Sequence, residues 1–187
     1  MNRGYHEIKE HGKREFPFNI YPCSIPVDFS HVALHWHEEM EIIAVKKGKG
    51  RITVDTVSYP VEEGDILAVF PGQLHAISCG NGERMEYENI IFRLSMLMGD
   101  NGDGCTVHFL KPLQEGQAKN PVLIQRNQPD HEVFGKVIQE LDRFSEIRGN
   151  GYQLAVKGQL FLFLYYAYGR GILFTEKKPG HAREKIK

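Results

Sequence analysis

The most constraining stretch of this chain runs from His35 to His75 and opens with His35-Trp36-His37-Glu38-Glu39-Met40-Glu41. Side chains alternate faces along an extended strand, so His35, His37 and Glu41 are predicted to project to one side. Ile43 and Val45 continue that parity with apolar groups, which predicts that this side faces the interior of a barrel or sandwich. Trp36 and Met40 have the opposite parity and are expected to pack. Pro71-Gly72 turns the chain into a short apolar run, Ala76-Ile77, which puts His75 at a strand start where it can meet the other three. Three imidazoles and one carboxylate suit a borderline divalent ion such as Zn, Ni, Fe or Mn. Without an ion, the same groups would hydrogen-bond to one another, to buried water or to a ligand.

These residues resemble the cupin signature. Its first motif, HxHxxxE and a glycine after six further residues, is met by His35, His37, Glu41 and Gly48. Its second is met by Gly64, Pro71, Gly72 and His75, with one residue more than usual between Gly64 and Pro71 and with Cys79 in place of asparagine. Ile52-Thr53-Val54, the run Tyr59 to Leu67, and Phe70-Pro71-Gly72 are similar to the effector-binding domain of AraC-family transcription regulators. The resemblance implies a cupin-like antiparallel β-barrel (double-stranded β-helix or jelly roll) followed by a C-terminal pair of α-helices. It also implies an effector held near the four candidate ligands, an arm that can fold over it, and dimerisation through the helices.

The remaining sequence agrees with that plan. With 187 residues and 41% hydrophobic content the chain can form one compact domain with a helical appendage. A net charge of −1 marks no nucleic-acid surface. Cys23, Cys79 and Cys105 form no CxxC pair, which fits a reducing, cytoplasmic setting. The apolar run Leu160 to Tyr168 is too short for a membrane span, and the N-terminus has no signal core. Residues 1–15 read as a polar arm that tends to fray. Short apolar runs separated by turns then predict strands from Phe16 to about Leu110. Within them Lys46 to Arg51 lacks the ending of a phosphate-binding loop and reads as a hairpin tip. The segment Asp100 to Gly104 has Gly99 and Leu110 at the outer positions of a calcium loop and reads as a turn.

After Pro129 the period changes. Phe134, Val137, Ile138, Leu141 and Phe144 mark an amphipathic helix with Asp130 as its N-cap and Gly149 as its stop. A second helix, Tyr152 to Tyr168, ends apolar on every side and must be covered on more than one face. That cover is either the barrel and the first helix or a second subunit; the family resemblance favours the latter and implies Phe161, Leu164, Tyr165 and Tyr168 at a homodimer interface. The expected organisation is an arm and sensor barrel over 1–120, a helical dimerisation segment over 121–175, and a linker over 176–187. That linker would lead to a helix-turn-helix DNA-binding domain absent here.

The function so implied is sensing of a small effector, sugar-like by family analogy, at His35, His37, Glu41 and His75; Asn89 and Arg93, on one parity of an expected strand from Tyr87 to Leu94, are read as further polar contacts. DNA would be reached only through the missing domain, and no membrane is involved. The alternative is a stand-alone metal-dependent cupin enzyme, a dioxygenase or sugar isomerase. No nucleophile with an adjacent base can be assigned, so no catalytic residue is named. A reading frame continuing for about a hundred residues with helix-turn-helix patterning would separate the two.

Overall fold

A computed structural model describes residues 5–174; the expected linker over 176–187 lies outside them. Eight strands build two antiparallel sheets that share one long member. The strands are β1 (Phe18–Ile25), β2 (Val32–His35), β3 (Met40–Val54), β4 (Val57–Glu62), β5 (Ile66–Val69), β6 (His75–Ser78), β7 (Met85–Phe92) and β8 (Val122–Ile124). One sheet runs β1-β7-β3-β5-β8. In the other, the C-terminal half of β3 pairs with β4 on one side and β6 on the other, and β6 pairs with β2. The result is a cupin-like double-stranded β-fold whose sheet does not close fully, followed by helices α2 (His131–Ile147) and α3 (Tyr152–Gly169).

The first part of β3, Met40 to Val45, is buried on both faces, which explains its apolar start, broken only by Glu41. Ile43 and Val45 join Leu67, Val69, Ile77 and Tyr87 in the interior between the sheets. Met40, Ile42 and Ala44, of the other parity, join Phe134, Leu160 and Phe163 in a second core under the helices. Glu41 is a buried carboxylate on the inward face of this apolar strand, so its charge must be matched locally.

Several expectations need correction. Lys46 to Arg51 is no hairpin tip: β3 runs straight through it, with a bulge between Val45 and Lys47. Gly48 sits there at φ 76°, where a Cβ would collide with the Arg84 carbonyl. The chain turns instead at Asp55, φ 53°. The continuous run of strands ends at Phe92 rather than near Leu110, and only the short β8 follows later. A 3-10 turn, Leu94–Leu97, follows, and then a π-helical turn, Thr106–Leu110, runs on into the short helix α1, Lys111–Gln114. Asp103 starts that segment by accepting hydrogen bonds from the Thr106 N–H (2.7 Å) and hydroxyl (2.6 Å). The Asp100 to Gly104 segment is the expected turn, with an N–H of Asp103 bonded to the Asp100 carbonyl.

α2 buries Phe134, Val137, Ile138 and Leu141 as its period predicts. Asp130 precedes it without capping it; its carboxylate instead takes two hydrogen bonds from Arg170, at 2.8 and 2.6 Å. Arg170 also donates to the Leu123 carbonyl and to Gln128, so one guanidinium ties the end of α3 to β8 and to the start of α2. The stop of α2 is Arg148 in the left-handed conformation, one residue before the predicted Gly149. α3 buries Val156, Leu160, Phe163, Leu164 and Ala167. Leu164 therefore belongs to the intrachain core, and the Tyr168 hydroxyl donates to the Phe109 carbonyl. Phe161 and Tyr165 remain exposed, along with Leu154 and Leu162. Among the described residues no helix is long and apolar enough to cross a membrane, and Cys23, Cys79 and Cys105 are free thiols.

Candidate metal and ligand site

The four candidate ligands meet, but not by running along one strand. β2 ends at His35 in one sheet, β3 begins at Met40 in the other, and His37 lies in the crossing between them. Two backbone ties hold that crossing. The His37 carbonyl accepts the Gly72 N–H at 2.9 Å, with Gly72 at φ 81°, and His37 Nδ1 bonds the Glu39 carbonyl at 3.1 Å. His75 arrives as the first residue of β6, paired in register with His35. One ligand atom from each of His35, His37, Glu41 and His75 can be chosen so that all lie within 4.8 Å of one another. His37, Glu41 and His75 are buried and His35 is half-buried.

The orientation of the rings matters as much as their closeness. His35 Nδ1 faces the Ala33 carbonyl at 2.9 Å, His75 Nδ1 faces the Gln73 carbonyl at 2.9 Å, and His37 Nδ1 faces that of Glu39. A carbonyl only accepts, so each Nδ1 carries the proton and each Nε2 of a neutral ring keeps its lone pair. The Nε2 atoms of His37 and His75 lie 3.0 and 3.1 Å from the same Glu41 oxygen. Two lone pairs facing one carboxylate oxygen repel unless a positive charge intervenes, either a proton on each ring or a cation among them. The donor set and its locked tautomers fit a divalent ion.

The electrostatics show the same tension. Burial alone would raise the Glu41 pKa, but the two imidazoles outweigh it and hold Glu41 well below the usual carboxylate range. Burial would depress His37, yet Glu41 holds it above its ordinary value. His35 is lowered, by burial and then by its neighbour His75. Burial, helped by Glu41, pushes the Cys23 thiol up to about 11, so it is an unreactive thiol.

His35 and Glu41 also line a cavity of about 550 Å³. Asn89 lines it too, with a buried Oδ1 that has no hydrogen-bond partner among the described residues. Arg93 does not: β7 ends at Phe92, and beyond it the guanidinium pairs with the buried Glu39 at 2.8 Å beside a separate groove. The cavity has further walls that the sequence did not mark, namely Tyr21 and Cys23 of β1 and Glu7 and His11 of the arm. Nothing in the polar, unpatterned arm distinguishes those two residues from a frayed terminus.

A model of the AraC-like ligand binding domain matches residues 26–164. The chain is 27% identical over 88 residues to the uncharacterized HTH-type transcriptional regulator YdeC of Bacillus subtilis (strain 168). That match takes in 46% of this chain, and the chain spans only 30% of the relative. Among solved structures, a cupin protein from Bacteroides fragilis is similar at 25% identity and TM-score 0.34, over 46% of this chain and 70% of that one. An RmlC-like cupin family protein from Methanocaldococcus jannaschii is similar at 18% identity and TM-score 0.39, over 44% and 74%.

Proposed function

The chain belongs to the AraC-like ligand binding domain family, and from that membership we propose that it senses a small polar effector for a transcription regulator. The effector, sugar-like by family analogy, would bind in the cavity bordered by His35, Glu41 and Asn89, next to His37 and His75. DNA would be contacted through a helix-turn-helix domain, and the active form would be a homodimer built on α3. The observation that carries the reading is the convergence of three tautomer-locked imidazoles and one buried carboxylate beside that cavity.

His35, His37, Glu41 and His75 would hold one divalent ion, and a bound ion would supply a positive centre for an oxygen of the effector. The chain's own groups would fix the effector's orientation. Asn89 offers a buried, unmatched acceptor to a hydroxyl. A panel of monosaccharides, sugar acids and polyols, read by thermal shift, tests this. At least one compound is expected to raise the melting temperature of the wild-type protein, less so in Asn89→Leu, and to be recovered unchanged. A panel without effect contradicts the sugar-like reading, and conversion of the compound would place the chain among the cupin enzymes.

A further inference from the structure

The arm residues Tyr5 to His11 are docked on the barrel beside the four candidate ligands. The Glu7 N–H donates to the Trp36 carbonyl and the Trp36 N–H to the Tyr5 carbonyl, each at 2.9 Å. The His6 ring stacks on Trp36 with centroids 4.2 Å apart. This places the Glu7 carboxylate 3.6 Å from His35 Nε2, the ring nitrogen left free when Nδ1 bonds the Ala33 carbonyl. On its other side stands His11, 95% buried, whose Nδ1 lies 3.2 Å from the Tyr21 hydroxyl. Among the described residues His11 Nε2 has no hydrogen-bond partner, and it faces the Glu7 oxygen from 3.9 Å. The His11 ring centroid is 6.1 Å from that of His37, and Glu7, His11, His35 and Glu41 line one cavity.

A carboxylate on a separate segment, poised over a ligand's free nitrogen, can change partners when a cation enters, and it then carries its segment with it. We propose that Glu7 is an arm-borne fifth ligand to the divalent ion held by His35, His37, Glu41 and His75, so that filling the site fastens the arm to the barrel. His11 is a positioning residue, which backs the Glu7 carboxylate from 3.9 Å in the wall of the same cavity. The inference rests on the four-ligand metal reading given above and adds a fifth group from outside the barrel. It makes arm docking a function of metal occupancy, since an ion that binds both parts must stabilise their contact by the same free energy that the contact adds to its binding.

Trp36 is the chain's single tryptophan and lies under His6, so its emission reports arm docking. The full chain, purified without a metal-affinity step and stripped with chelator, is titrated with zinc while Trp36 fluorescence and tryptic cleavage after Lys9 are followed. Wild-type protein is expected to show a saturable fluorescence change and protection of Lys9. Glu7→Gln is expected to keep one zinc per chain at roughly tenfold weaker affinity and to lose both the fluorescence change and the protection. His37→Ala controls for binding elsewhere and should show neither response. If Glu7→Gln matches wild type in affinity, fluorescence and protection, the fifth-ligand proposal is overturned while the four-ligand site stands. If wild-type protein takes up no zinc, both fall together.

Discussion

Zinc at about a hundred times its dissociation constant is expected to stabilise the wild-type domain by about 2.7 kcal/mol, because an ion that binds only the folded state shifts the folding equilibrium by mass action. For a domain of this size that is a rise in melting temperature of roughly 5–11 °C. His37→Ala should abolish the rise. The ring it removes is held from both sides, by the Glu39 carbonyl at Nδ1 and toward Glu41 at Nε2. The variant should also melt below the wild type without metal, since Glu41 loses one of its two partners while staying buried. Differential scanning calorimetry with and without zinc measures both effects. A zinc-induced rise of equal size in His37→Ala would mean that zinc binds elsewhere.

The second large effect concerns assembly. α3 buries Val156, Leu160, Phe163 and Leu164 against its own chain, yet Leu154, Phe161, Leu162 and Tyr165 stay exposed, with Tyr165 at 71%. These four lie on one helical face together with Gly158, whose Cβ position is open. An apolar face interrupted by glycine allows a second helix to approach closely, and uncovered it would be an aggregation liability. We expect a homodimer in which two copies of this face meet. Tyr165→Glu should split it, because an unpaired charge buried at an interface costs several kcal/mol, on the order of a hundredfold or more in dissociation constant. Sedimentation should then give 21.4 kDa for the variant and twice that for wild type. Leu164→Glu is the wrong probe, since Leu164 lies in the intrachain core and its loss would unfold the domain. Wild-type protein that is monomeric at all accessible concentrations would contradict the dimer.

Where the sequence was readable, the reason was a period or a motif. The inward parity of Glu41, Ile43 and Val45 and the helical spacing of Phe134 to Leu141 both have direct structural counterparts. His35 and His37 reach the site through a strand break between sheets, and parity could not reveal that break because the ties that make it, from Gly72 and Glu39, are non-local or backbone contacts. The same limit misplaced Arg93, because alternation has no meaning beyond Phe92, where β7 ends. The latter half of α3 is apolar all round, so its sequence has no stripe to say which face is buried; Leu164 turned inward, Phe161 and Tyr165 did not, and Tyr168 is partly buried. The segment after Asp103 lacks apolar periodicity, and β8 has three residues, too few to show any. Glu7 and His11 gain their meaning only from where the arm docks.

The proposed metal centre is tested most directly by metal content. Protein purified without a metal-affinity step, incubated with zinc and desalted is expected to carry about one zinc per chain by elemental analysis, and His37→Ala or Glu41→Ala close to none. Wild-type protein that retains no zinc would contradict the account, and would leave His35, His37, Glu41 and His75 as a purely hydrogen-bonded cluster.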